Sequence, residues 1–238
     1  MQALIFDCDG VLVDTERDGH RVAFNHAFAA QGLDHEWPVE RYGVLLETAG
    51  GKERLRRHFN ETAWPVRELE RDAFIRDLHR LKTDIFIGLI GSGDMQLRPG
   101  VARLVDEAIE AGVQLAICST SEERSVRTIV EVMLGPERAR HLSVFAGDMV
   151  AAKKPDPAIY NLASERLGLD PSQCLVVEDS QIGLRAALSA GMHCVITTSA
   201  YTANEDFTGA ARVLSELGEG DGVQLSLAEC QTLLRVGA

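Results

Sequence analysis

A chain of 238 residues holds one large domain, or a main domain with a smaller insertion, and either buries a core that needs no disulfides. Apolar residues at 45% and charged residues at 25% argue against a disordered chain. A net charge of -12 argues against nonspecific nucleic-acid binding, which needs a basic field, and favours small-molecule partners.

The first apolar run, Ala3 to Phe6, begins directly after Met1, so no signal or transit segment is expected within this chain. Further Val-, Ile- and Leu-rich runs follow at Val113 to Cys118, Leu142 to Phe145, Leu175 to Val177 and Cys194 to Thr197, each succeeded by a helix-period stretch. This pattern predicts a doubly wound parallel α/β sheet of Rossmann-like type. Helix starts are expected at Pro99-Gly100, at Ser121 and at Asp179-Ser180, and helix ends at Gly112, Gly168 and Gly191. No apolar stretch reaches membrane-spanning length. The cysteines, Cys8, Cys118, Cys174, Cys194 and Cys230, are five in number and form no CxxC pair, which fits a reducing compartment and no zinc.

Between residues 16 and 95 only helical periodicity remains, as for an inserted helical cap. The expected organisation is a catalytic core of residues 1–15 plus 96–238 and a cap of residues 16–95. Phe24 and Phe28 share a helix face, as do Leu78, Leu81 and Ile85, and Pro65 suits a helix start. The cap carries 12 Lys+Arg against 14 Asp+Glu, a net of -2, which leaves -10 elsewhere; an anionic substrate would favour the cap.

In open α/β sheets ligands bind beyond the carboxyl ends of strands. Polar residues directly after separate runs should therefore converge: Asp7 and Asp9, Ser119, Lys154, and Glu178 with Asp179. Phosphoryl transfer needs a nucleophile, an acid for the leaving alkoxide and positive charge on the phosphoryl oxygens, and this set offers each. Its clustered carboxylates call for a cation, and hard oxygen ligands select Mg²⁺. Taken singly, each feature has a plainer meaning. Asp9-Gly10 reads as a hairpin turn, Ser119 as a helix cap, Lys154 as a solvated turn residue, and Glu178-Asp179 as a cap for the next helix. In the cap, Gly50 and Gly51 before Lys52 and Arg54 make either an anion cradle or an ordinary turn with a charged helix face. His20, His58 and His79 read as mostly structural, and Cys8 and Cys118 as packed strand residues.

These motifs, in this order, resemble the haloacid-dehalogenase-like phosphatases. The first motif is the stretch Asp7-Cys8-Asp9-Gly10-Val11-Leu12-Val13-Asp14-Thr15, followed by Ser119, Lys154 in Lys153-Lys154-Pro155-Asp156-Pro157, and Glu178-Asp179. The resemblance implies an aspartyl-phosphate mechanism, with Asp7 as nucleophile and Asp9 as general acid and then base. It also implies Mg²⁺ on Asp7, the Asp9 carbonyl, Asp179 and Glu178, the last directly or through water. Val11 stands where many relatives have Thr. Nearly the whole chain, including Asp18-Gly19-His20-Arg21, Gly50 to Arg54, Leu134 to Arg138 and Pro155 to Ala163, is similar to a narrower group, the CbbY-type phosphatases, and to plastid members in particular. That group hydrolyses xylulose-1,5-bisphosphate, an inhibitor of Rubisco in the Calvin cycle. It implies substrate contacts at Glu16, His20, Tyr42, Gly50, Gly51, Lys52, Glu53 and Arg54 and, in the loop after Ser119, at Thr120 and Ser121. Lys82 is a further candidate. The partner is then a small sugar bisphosphate and neither nucleic acid nor membrane. The protein is expected to be a monomer, placed in the chloroplast stroma if a transit segment precedes the natural chain and in the cytoplasm otherwise. Alternatives are a β-phosphoglucomutase-like isomerase, a phosphonate hydrolase with Lys52 as a Schiff base, and a noncatalytic Mg²⁺-binding scaffold.

Overall fold

The computed structural model describes residues 1–93 and 95–236. It divides into two compact units, Met1–Asp14 with Gln96–Ala238, and Thr15–Met95.

In the first unit the strands are β1 (Ala3–Phe6), β2 (Gln114–Ser119), β3 (Leu142–Ala146), β4 (Cys174–Glu178), β5 (His193–Thr197) and β6 (Arg212–Leu214). Among the described residues they form one parallel sheet in the order β3-β2-β1-β4-β5-β6. The strand β1 is central, because the chain adds β2 and β3 on one side and then returns to add β4 to β6 on the other. That reversal places a switch point at the carboxyl end of β1. Residues of β1, β4 and most of β2 and β5 are buried on both faces, which is why they read as continuous apolar runs without alternation.

Helices cover the sheet: α5 (Val101–Glu110), α6 (Glu123–Ile129), α7 (Gly135–Ala139), α8 (Ala158–Leu167), α9 (Gln181–Ser189) and α10 (Leu227–Val236), numbered after the four helices of the second unit. Ile159, Tyr160 and Ala163 of α8 and Leu184, Ala186 and Ala187 of α9 pack with Ile5, Ala116, Val176 and Ile196 in one core cluster. The expected signals at Gly100, Ser180, Gly168, Gly112 and Gly191 stand where helices begin or end. Ser121 is different. The N-cap of α6 is Glu122, whose carboxylate accepts from Ser125 N at 3.2 Å, which leaves the Ser121 hydroxyl available elsewhere. The strand β6 carries no apolar-run signal, since Arg212-Val213-Leu214 is too short to show periodicity.

The second unit is helical: a π turn at Glu16–His20, then α1 (Arg21–Ala30), α2 (Val39–Leu45), α3 (Gly51–Glu61) and α4 (Arg71–Gly91). Aromatic rings fill it. Phe24 and Phe28 do share a face, and both meet Trp37, at centroid distances of 4.6 and 5.1 Å. Asn25 fixes that ring's backbone by accepting from Trp37 N at 2.8 Å and donating to Trp37 O at 3.1 Å. Two expectations need correction. Pro65 lies in an irregular segment, and α4 begins at Arg71 after a short 3₁₀ turn at Glu68–Glu70. The buried face of α4 runs through Ile75, Leu78, His79, Lys82, Phe86 and Ile90, so Leu81 and Ile85 fall at its edge. Lys82 takes an interior position because its four-carbon stem packs like an apolar side chain.

His58 sits inside this aromatic group, with its Nε2 3.1 Å from His35 Nδ1. Burial, then the nearby His35 and Arg41 charges, lower its pKa from 6.5 to about 4. The folded value lies below the unfolded one, so its contribution is present above pH 6.5 and is lost as pH falls towards 4. The expected outcome is a melting temperature that falls from pH 7 to pH 4.5 more steeply in the wild type than in His58→Leu. Parallel profiles would show that His58 is not the group being protonated.

Candidate active site

Because Phe6 pairs with Ile117 on one side and Val177 on the other, Asp7 leaves β1 level with Cys118 of β2 and Glu178 of β4. Asp7 N donates to Val177 O at 2.9 Å. The chain then closes a tight loop, with Leu12 N on Cys8 O at 2.9 Å and Gly10 N on Val13 O at 2.8 Å. The turn expected at Asp9-Gly10 therefore exists, and it supports the site instead of replacing it. Gly10 has φ +82°, and a Cβ there would collide with the Asp179 carboxylate, so both backbone and space require glycine. Arg98 braces the loop by donating to Gly10 O, to Thr198 O at 2.7 Å and to Ser215 O at 2.6 Å.

Lys154 is the hub. Its ammonium is 4% exposed and donates to Asp7 Oδ1 at 2.7 Å, Glu178 Oε1 at 2.5 Å and Cys118 O at 2.9 Å, one partner for each of its three protons. Burial alone would lower the Lys154 pKa, but the Asp7 and Glu178 charges outweigh it and the net shift is upward, so the ammonium stays charged. Asp7 moves the other way for a carboxylate. Burial pushes it up to about 8, with Lys154 opposing and Glu178 and Asp9 adding to the rise. One ammonium does not balance these carboxylates.

Asp7, Glu178 and Asp179 each offer an oxygen within 4.8 Å of the others, and all three residues are buried. An oxygen-only donor set with excess negative charge fits a hard divalent cation such as Mg²⁺. The neighbouring thiols do not compete: burial, above all, raises the pKa of Cys8 and Cys118, so both remain protonated. Ser119 is buried at the end of β2, and its Oγ accepts from Ser121 N at 3.1 Å. Ser121 Oγ donates to Asp9 Oδ2 at 2.5 Å, which ties the loop after β2 to the loop after β1; Thr120 lies half-buried between the two serines.

Tyr160 gave no sequence signal beyond an aromatic in a helix, yet its hydroxyl donates to Glu178 Oε1 at 2.6 Å. Gly183 was likewise unmarked. A Cβ there would strike the Glu178 carboxylate, so this glycine lets α9 approach the buried acid.

Within the helical unit, three of the expected substrate residues come together. Tyr42 Oη donates to Glu16 Oε2 at 2.5 Å, and Arg54 donates to Tyr42 Oη at 2.9 Å, to Glu16 Oε1 at 3.3 Å and to Thr48 O at 3.0 Å. Gly50, at φ +91°, precedes α3, and a Cβ on Gly51 would meet His79 and Phe24. Glu53 and Lys52 are half-buried on the same helix. Lys52 and Arg54 are two residues apart, about 200° around α3, and do not share a face. A second group joins His20 and Lys82, whose Nζ lies 2.6 Å from His20 Nδ1 and over the rings of Phe24 and Phe86 at 4.7 and 4.9 Å.

The model of haloacid dehalogenase-like hydrolases matches residues 1–191. The chain is 54% identical to the CBBY-like protein of Arabidopsis thaliana, over 98% of this chain and 74% of that protein. It is 42% identical to Protein CbbY of Cereibacter sphaeroides, over 94% and 95% of the two chains. The crystal structure of a CbbY mutant from Rhodobacter sphaeroides in complex with xylulose-(1,5)bisphosphate superposes with a TM-score of 0.85 at 41% identity, covering 92% of this chain and 96% of that one. The chain belongs to the haloacid dehalogenase-like hydrolase family, and it is a phosphatase enzyme.

Proposed function

We propose that this enzyme hydrolyses xylulose-1,5-bisphosphate to xylulose 5-phosphate and phosphate in a Mg²⁺-dependent reaction through an aspartyl phosphate on Asp7. The observation that carries the mechanism is the buried Lys154 bridging Asp7 and Glu178, beside Asp179. The substrate is supported by the bisphosphate held by the 41% identical CbbY structure. The 54% identical plant relative fits a chloroplast setting and a role in removing a Rubisco inhibitor.

In this reading an Asp7 carboxylate oxygen attacks phosphorus, and the bond from phosphorus to the sugar oxygen breaks. Asp9 donates a proton to the departing alkoxide, then takes one from the water that attacks the aspartyl phosphate, releasing phosphate and restoring Asp7. Ser119 donates to the phosphoryl oxygens as charge gathers there, and the Lys154 ammonium, whose protons are held by Asp7, Glu178 and Cys118 O, lends its positive charge beside them. Ser121, through its bond to Asp9, holds the acid in place. Asp7, the Asp9 carbonyl, Glu178 and Asp179 would hold Mg²⁺. The bound ion would offset the charge of the transferring group. The Thr15–Met95 unit acts as the cap and grips the part of the sugar that does not react, with Arg54, Tyr42 and Glu16 foremost and Lys52, Lys82 and His20 as further contacts.

Phosphate release from xylulose-1,5-bisphosphate with Mg²⁺ and no bisphosphate primer is the direct test. A requirement for primer, with isomerised sugar as product, would instead make the enzyme a mutase. Asp7→Asn should lower turnover by roughly 10⁴-fold or more and abolish the rise in melting temperature on adding Mg²⁺, since the amide is neither nucleophile nor anionic ligand. A variant that kept a tenth of the wild-type rate would remove Asp7 from that role.

Arg54→Ala should lower kcat/KM for xylulose-1,5-bisphosphate by roughly 10- to 150-fold, the worth of one charge-assisted contact of about 1.5 to 3 kcal/mol. Hydrolysis of p-nitrophenyl phosphate, which has no second phosphate, should change far less. Equal losses on both substrates would reduce Arg54 to a support of the helical unit.

A further inference from the structure

Tyr160 lies in the Pro155 to Ala163 stretch but was given no role of its own by the sequence, and its ring is a core element of α8 packed with Ile159 and Ala163. Phenylalanine would fill the same volume. A buried hydroxyl is destabilising when unpaired, so its presence asks for a partner. The partner is Glu178 Oε1 at 2.6 Å, the same oxygen that Lys154 approaches at 2.5 Å.

The rest of Glu178 is equally constrained. Its Oε2 accepts from Asp179 N at 3.2 Å and Ser180 Oγ at 3.4 Å, and Gly183 leaves no room on the side of α9. Glu178 is wholly buried, so its charge depends on the groups packed around it. The Lys154 ammonium stands between this carboxylate and Asp7, with its third proton on Cys118 O. How closely it approaches Asp7 depends on how strongly Glu178 draws it. A second donor on Oε1 satisfies part of that oxygen's charge and so weakens its pull on an ammonium already 2.5 Å away. The Tyr160 ring also faces Nζ at 5.2 Å from its centroid, an added attraction.

From this geometry we infer that Tyr160 is a positioning residue, whose hydroxyl, through Glu178, sets the distance between the Lys154 ammonium and the reacting Asp7. The inference rests on the phosphatase mechanism proposed above. Removing the phenol oxygen leaves Glu178 to draw the ammonium more strongly, so that Nζ turns away from Asp7 and from the phosphoryl oxygens. Displacements of about 1 Å at reacting groups cost up to about 100-fold in rate, and a partial shift correspondingly less.

The test compares wild type with Tyr160→Phe, each also in a Lys154→Arg background, using p-nitrophenyl phosphate at saturating Mg²⁺, together with crystal structures of wild type and Tyr160→Phe. The expected result is a kcat about 10-fold lower with KM within about twofold, and a Lys154 Nζ to Asp7 Oδ1 separation longer in the variant than in the wild type. In the Lys154→Arg background the added Tyr160→Phe change should cost less than about twofold, because two residues acting through one contact are not additive. An unchanged kcat with Lys154 unmoved would overturn the inference, and so would a full 10-fold loss repeated in the Lys154→Arg background. If the wild type hydrolysed no phosphate ester, the phosphatase mechanism would fall, while the crystallographic separation would still decide whether Tyr160 positions Lys154.

Discussion

The arrangement at the end of β1 depends on one buried cation. Lys154 places an ammonium where Asp7 and Glu178 would otherwise face each other without water to screen them, and it spends every proton in doing so. Breaking a buried pair of this kind typically costs about 3 to 5 kcal/mol, because the abandoned charge cannot be resolvated. The cation also leaves the group short of balance, since Asp7, Asp9, Glu178 and Asp179 gather around it. The remaining negative charge is what suits this site to a divalent ion, which would offset it.

The sheet supplies the convergence and the loops supply the precision. Parallel pairing in register brings the residues after Phe6, Ile117 and Val177 to one height. Two glycines then admit side chains where any other residue would exclude them, Gly10 beneath Asp179 and Gly183 beneath Glu178. Arg98 joins the β1 loop to the carbonyls of Thr198 and Ser215, so the first and last loops of the sheet share one brace. None of these residues needs to touch substrate to matter; each limits where the acids can go.

What the sequence disclosed follows from what is local. Five strands and the acidic pairs at their ends were legible because apolar runs and the residues after them lie in contiguous segments. Asp7, Glu178, Asp179 and Lys154 lie together at the strand ends, and Ser119 stands at the end of β2 with its Oγ on Ser121 N. The strand β6 was not legible, being three residues with an exposed valine at its centre. Pro65 misled because its fixed φ suits a turn as well as a helix start. Tyr160, Arg98 and Gly183 escaped for another reason. Their partners are 18, 88 and 5 positions away and are reached only through the fold, so spacing alone carries no trace of them.

The chemistry gathered in the α/β unit is aimed at a phosphoryl group and is indifferent to what the phosphate is attached to. Under the proposed function, discrimination among phosphate esters falls to groups that can recognise the rest of the molecule, a role we assign to the Glu16, Tyr42 and Arg54 cluster of the helical unit. Its guanidinium is held by Thr48 O, Tyr42 Oη and both Glu16 oxygens, so its fork is oriented before any ligand arrives. Side-chain ordering, which costs about 0.5 to 1.5 kcal/mol for each mobile group at a binding step, has already been met in folding. Lys82 is similarly fixed between two aromatic faces and His20. A helical unit of nearly balanced charge can thus present a few directed cations without becoming a nonspecific anion trap, which a strongly basic surface would be.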